Sequence, residues 1–184
     1  YQKMEQNHRI LVEGCLKGNS LKQKELYDTF APAMYAVAMR YANNKLDADD
    51  MLQNAFIKVF RYLEKFRFEC SLGYWIKRIV ISESLKYLQL NWNSQTNLIE
   101  ISDFPVQKSE NDALQHLNYQ DVKQLLTKLP KGYRTIFQMY VIDDMSHKEI
   151  AEMLNIKEST SRSQFMQARL FLQQLIKKED SKVS

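Results

Sequence analysis

The sequence predicts an all-α protein: two small helical domains joined by a flexible linker. Three observations predict it. Only 4 Gly and 3 Pro occur in 184 residues, which argues against a turn-rich β chain and for helices with short connections. Apolar residues recur at spacings of three and four in two blocks, which places them on helical faces. Between Leu90 and Leu114 that period fails, in a polar run that holds Pro105. About 20 residues without structure are unusual inside one compact domain. Domains are therefore expected at 8–92 and 114–178, with the linker at 93–113.

Each element follows from its residues. Leu26, Phe30, Met34, Val37 and Tyr41 share one helical face, and Asn43-Asn44 marks the turn after it. Asp47 and Asp50 stand three apart before Met51, Leu52, Ala55, Phe56, Val59 and Phe60. The first suits a helix cap and the second the positive helix end. Leu63 and Phe66 follow. Trp75, Ile76, Ile79, Val80, Leu85 and Leu88 form another helix, although β-branched Ile79 to Ile81 also fit a strand. In the second block a helix through Val122, Leu125 and Leu126 ends before Leu129-Pro130. Pro130 suits the first turn of the next, through Ile136, Phe137 and Tyr140. Ser146 with Glu149 is a capping box. It opens a helix bearing Ile150, Ala151 and Leu154, which Asn155 closes in the left-handed conformation. A last helix runs from about Glu158 to Lys178.

Composition narrows the function. The chain is 45% hydrophobic, enough to bury real cores, and carries 26 basic and 22 acidic side chains, a net +4. That excess permits a polyanionic partner without requiring one. Residues 22–96 and 127–184 each carry +3, and the stretch between them carries −3. Cys15 and Cys70 form no CxxC pair, and with only His8, His116 and His147 beside them no zinc set assembles by spacing. No metal, cofactor or catalytic residue is expected. Phosphate-loop, nucleophile-elbow and metalloprotease patterns are missing from the sequence, so an enzyme is not expected. The start YQKMEQNHRI lacks a secretory core, and no apolar run reaches the ~18 residues of a membrane helix. A soluble cytoplasmic protein is expected, with Met4 as its native start and no membrane insertion.

Two segments carry chemistry. Ser146 to Phe171 reads as helix, tight turn, helix. The second helix opens Glu158-Ser159-Thr160-Ser161-Arg162-Ser163-Gln164, small hydroxyl and amide residues that suit a recognition helix in the major groove. Hydroxyls and Arg bond phosphates, and Gln reads an adenine edge. A helical hairpin packed on itself also fits. From Phe66 to Tyr87, aromatic rings interleave with cations: Phe66, Arg67, Phe68, Tyr74, Trp75, Lys77, Arg78, Lys86, Tyr87. Single-stranded DNA binding uses that combination, with bases stacked on rings and cations along the phosphates. On the residues alone, an aromatic core with a solvated basic face fits better. Asp47, Asp49 and Asp50 could suggest metal or acid chemistry, but helix-start electrostatics account for two of them.

The blocks LYDTFAPAMYAVAMRYANN, DADDMLQNAFIKVFRYLEKF and YWIKRIVI, followed by LPKGYRTIFQMYVIDDMSHKEIAEMLNIKESTSRSQFMQARLFL, resemble the extracytoplasmic-function (group 4) sigma factors of bacterial RNA polymerase. VIDDMSHKEIAEML is closest to Bacteroidetes versions. The resemblance implies a sigma region 2 domain, a sigma region 4 helix-turn-helix, and an alternative sigma factor that directs core polymerase to promoters and helps open the −10 region. A non-initiating polymerase-binding regulator is the second reading. The resemblance further implies that Asp49, Asp50, Gln53 and Phe56 dock on the β′ clamp helices. Phe66, Arg67, Phe68, Tyr74, Trp75, Lys77, Arg78, Ser82 and Lys86 would act on the −10 DNA. Lys148, Ser159, Thr160, Arg162, Ser163, Gln164 and Gln167 would meet the −35 groove, with the second domain on the β flap. The family commonly adds an anti-sigma protein.

Several positions depart from the family pattern. Ser82 replaces a usual Asn, Gln89 a frequent Arg, and Gln164 and Gln167 stand where Arg is frequent. Asn155 and Ser159 replace common glycines, and Ser161 a usual Val. Up to three DNA-facing cations are therefore missing. Weak promoter reading, helped by an activator or a DNA-targeting recruitment partner, is expected.

Overall fold

Short polar residues set the helix ends. Gly18, at φ +75°, ends α1 (Gln2–Leu16). Its N–H reaches the Cys15 carbonyl and the Asn19 N–H reaches the Gly14 carbonyl, the paired closure that favours glycine here. Asn19 then caps α2 (Ser20–Tyr41), its side chain accepting from the N–H groups of Leu21 and Lys22. The cap of α3 (Lys45–Tyr62) is Asn44, whose Oδ1 accepts from the Asp47 N–H at 2.9 Å. Asp47 is therefore a first-turn residue and not the cap, because the asparagine already supplies the acceptor. One 3₁₀ turn, Leu63–Lys65, ends that helix, and α4 (Leu72–Asn93) follows. Ile79 to Ile81 lie inside α4, so burial against α2 and α3 overrides their strand preference.

These helices form the first of two compact units, Tyr1–Leu98 and Ile99–Ser184. The computed structural model describes residues 2–93 and 119–183, and all regular elements among them are helical. The expected linker, 93–113, lies outside the described residues except for Asn93 at the end of α4. In the first unit α2, α3 and α4 pack mutually, and α1 lies on α2. Their seam buries Leu26, Met34, Val37 and Ala38 of α2, Met51, Ala55 and Val59 of α3, and Ile76, Val80 and Ile81 of α4.

The second unit contains α5 (Tyr119–Lys128), α6 (Lys131–Phe137), a π turn (Gln138–Ile142), α7 (His147–Leu154) and α8 (Glu158–Val183). Pro130 stands at the cap position, one residue ahead of α6, where its missing N–H costs nothing. Arg134 closes α5 by donating to the carbonyls of Thr127 and Leu129. Leu125, Leu126, Leu129, Phe137, Ala168, Leu172 and Ile176 form one core, so α8 is the spine on which α5 and α6 pack.

Candidate functional site

Three surfaces hold the residues singled out by sequence. The first is the outer face of α3. Asp49, Asp50 and Gln53 are exposed there. Phe56 is not: it is buried, its ring edge-on to Tyr27 at 4.7 Å. Burial withdraws Phe56 from direct contact and makes it the support beneath the face. The apolar residues that this face presents are Leu46, 77% exposed, and Ile57, 52% exposed. Sequence reading passed them over because both are ordinary helix residues whose exposure only packing reveals.

The second surface is the loop from Phe66 to Ser71 with the start of α4. The Phe66 N–H bonds the Leu63 carbonyl, and the Ser71 hydroxyl accepts from the Tyr74 N–H, so both loop ends are fixed. Phe68 sits at φ +59°, a conformation that costs a bulky side chain roughly 1–3 kcal/mol. Phe66 lies at its ring, 4.6 Å between centroids, and Trp75 lies 5.2 Å from Phe66. Phe66 is buried, so it is the floor of the cluster and not a free stacking face; Phe68 and Trp75 are half-buried. Arg67 is exposed beside them. The Lys77 ammonium stands 5.4 Å from the Tyr74 ring centre, and Arg78 and Ser82 are half-buried further along α4. Lys86 is exposed and ion-paired to Glu83. Arg9 of α1 lies over Phe68, a contact between distant segments that the sequence pattern did not signal.

The third surface is the helix-turn-helix. Ser146 and Glu149 form the expected capping box: the Glu149 N–H donates to Ser146 Oγ at 3.2 Å, and the Ser146 N–H to Glu149 Oε2 at 2.9 Å. Asn155 takes φ 54°, ψ 48°, and Ala151 is buried at the turn. Lys148, Ser159, Arg162 and Ser163 are exposed, and Thr160, Gln164 and Gln167 are half-buried. Arg162 is paired with Glu158 on its own helix. Ser161 is fully buried, its hydroxyl 2.9 Å from His147 Nδ1. His147 stacks on Tyr140 at 4.3 Å with 13° between planes, and Phe165 closes the pocket. Burial, and then the nearby Arg162 charge, hold His147 below its ordinary range. The hairpin thus has a packed polar-aromatic joint and an exposed, mildly polar helix start.

A helical domain with a ring-and-cation cluster, together with a capped helix-turn-helix, defines a promoter-binding protein of the sigma type. The model of Sigma-70 region 2 matches residues 26–93 and that of Sigma-70, region 4 matches residues 119–172. The chain belongs to the sigma-70 family, as a sigma factor of the extracytoplasmic-function (ECF) type. It is similar to the ECF RNA polymerase sigma-E factor of Escherichia coli (strain K12), at 27% identity covering 88% of this chain and 90% of that one. The Haemophilus influenzae sigma-E factor is 24% identical, covering 91% and 94%. The fold matches the sigma factor RpoE of Bartonella quintana, solved with the anti-sigma factor NepR: TM-score 0.56, 21% identity, 84% of this chain and 96% of that one. CnrH, solved with the cytosolic domain of CnrY, gives TM-score 0.55 at 21% identity, covering 92% and 96%. The function that follows is that of an alternative sigma factor in transcription initiation.

Proposed function

We propose how this chain divides that function among its surfaces. The outer face of α3, with Asp49, Asp50 and Gln53 between exposed Leu46 and Ile57, docks on the β′ clamp helices of core polymerase. Phe68 and Trp75 hold an unpaired base of the −10 region, while Arg67, Tyr74, Lys77, Arg78, Ser82 and Lys86 meet the strand. Lys148, Ser159, Thr160, Arg162, Ser163, Gln164 and Gln167 face the −35 groove, and the second domain seats on the β flap. The observation that carries this reading is the loop aromatic held at positive φ on a buried ring beside an exposed arginine. A strained, half-open aromatic serves a base that must leave its stack, a step that costs a few kcal/mol.

The chemistry of polymerisation belongs to the polymerase, and the chain itself works in the cytoplasm. Among the described residues no helix is long and apolar enough to cross a membrane. An anti-sigma protein is a further partner, supported by the anti-sigma complex of the Bartonella relative. The wording VIDDMSHKEIAEML supports a Bacteroidetes-type branch. Transcription with purified cognate core polymerase tests the assignment: the chain produces defined starts, and Gln53→Ala with Ile57→Ala lowers core binding. A folded double variant with unchanged core affinity would remove the docking face.

A further inference from the structure

The α3–α4 seam carries a three-residue ion cluster of which the roles above use Lys86 alone. Lys58 of α3 donates to Glu83 Oε1 at 2.6 Å, and Lys86 of α4 donates to the same oxygen at 3.2 Å. Their exposures differ in a way that decides the behaviour: the Glu83 side chain is 11% exposed, Lys58 29% and Lys86 57%. The Lys58–Glu83 pair is therefore the shorter and better shielded one. The hydrogen bond that Lys58 donates to Glu83 also holds its ammonium above its ordinary range. Lys86 is the outer, longer and more solvated arm.

We propose that Glu83 is a positioning and specificity-determining residue for DNA engagement: it ties up Lys58 and leaves the distal half of α4 one cation, Lys86, to give to a phosphate. The inference rests on reading α4 as a DNA-facing helix. Two ammonium groups on one carboxylate carry a net single positive charge. When a phosphate approaches the outer arm, Lys86 exchanges a longer ion pair for it, and Lys58 with Glu83 remain behind as a neutral pair. Phosphate contacts add affinity without sequence information. Withholding one of two cations therefore limits the sequence-independent part of binding and leaves a larger share of the discrimination to base contacts.

The test uses the full chain assembled with its core polymerase on a fluorescent duplex with an unpaired −10 stretch. Affinity is measured from 50 to 200 mM salt. Glu83→Gln keeps the shape and releases both lysines, so one more phosphate is neutralised. Its affinity should fall about threefold more than the wild type's across that range, since one phosphate contributes a slope of about 0.7–0.9. Affinity for random-sequence duplex should rise with it. In a Lys58→Gln background the gain from Glu83→Gln should shrink by half or more. An unchanged slope overturns the inference, and so does an equal gain without Lys58, because Glu83 would then only repel phosphates. If Lys86→Ala alone changes nothing, the DNA-facing reading of α4 fails first, and this inference with it. The double variant Lys58→Gln, Glu83→Gln removes both partners of the shielded pair and should keep close to the wild-type slope; a steeper slope in this variant overturns the inference, so a misfolded single variant leaves the test intact.

Discussion

The guanidinium carbon of Arg9 stands 4.4 Å from the centre of the Phe68 ring. One residue comes from α1 and the other from the loop before α4, 59 positions later in sequence. The region 2 match begins at residue 26, so α1 contributes to the loop from outside the matched segment. Phe68 pays for its positive φ through such contacts: Phe66 on one side and the Arg9 cation on the other.

A double-mutant cycle measures that contact. Cation–π pairs at exposed sites contribute about 0.5–1 kcal/mol. Arg9→Ala should lower the stability of the first unit by that much, and the loss should vanish in a Phe68→Ala background. Thermal unfolding of the four proteins gives the coupling directly. A coupling near zero would mean that the ring is held by Phe66 alone.

Phe66 and Phe68 should separate by phenotype. Phe66 is buried, and truncating a buried Phe costs about 3–5 kcal/mol. Phe66→Ala should unfold or soften the domain. Phe68 is half-buried, so Phe68→Ala should fold, bind core polymerase and slow open-complex formation. A premelted template should restore much of the rate, because ring stacking is realised only on an extruded base. Without rescue on the bubble template, Phe68 serves the fold and not melting.

Much of this architecture was legible in the residues. The capping box at Ser146 and Glu149 and the left-handed Asn155 depend on neighbours within four positions, and both occur as local chemistry dictates. The α3 cap lies three residues before Asp47, at Asn44, because the two side chains are equivalent acceptors and only the backbone path chooses between them. Buried and exposed aromatics look alike in sequence: Phe56, Phe66 and Phe68 all follow apolar patterns, yet only Phe68 is partly open. Arg9 over Phe68 and Lys58 on Glu83 join segments far apart in the chain, and no spacing rule reaches across them.

Asn155 offers a backbone test. At φ 54° a residue with an ordinary Cβ is disfavoured by roughly 1–2 kcal/mol, whereas Asn and Gly tolerate the conformation. Asn155→Ala should therefore lower the stability of the second unit by about 1 kcal/mol, and Asn155→Gly should stay close to the wild type. Denaturant midpoints of the three proteins decide it. Equal effects of Ala and Gly would point to a side-chain role for Asn155.

His147 makes the second unit sensitive to pH. Its folded pKa lies below the ordinary 6.5, through burial first and Arg162 second, with Glu158 opposing. Between the folded and unfolded values the unfolded chain binds more protons, so stability rises with pH. The contribution is complete above 6.5 and is lost as pH falls through that value toward the folded pKa. The unfolding midpoint of the second unit should drop between about pH 7.5 and 5.5, and His147→Gln should flatten the drop. A variant with the full wild-type slope would assign the dependence to other groups.

On the proposed reading the start of α8 is the recognition helix, and its charges set how well this factor reads promoters. Gln164 and Gln167 carry no charge, and Arg162 is drawn to Glu158 on its own helix. Ser161 contributes no contact to DNA, because it is buried on His147. Each phosphate left without a cation lowers affinity and flattens its salt dependence, and each missing bidentate base contact loses about 1–3 kcal/mol of discrimination. Glu158→Gln should therefore release Arg162 and strengthen −35 binding, and Gln164→Arg should do so further. The wild type, with only its core polymerase on randomised promoter libraries, should enrich weak −35 and −10 motifs. Adding an activator or a DNA-targeting partner should fix the starts by that partner's position. Strong enrichment of both motifs by the wild type alone would show that Gln164 and Gln167 read bases in their own right, and that recruitment by a partner is not needed.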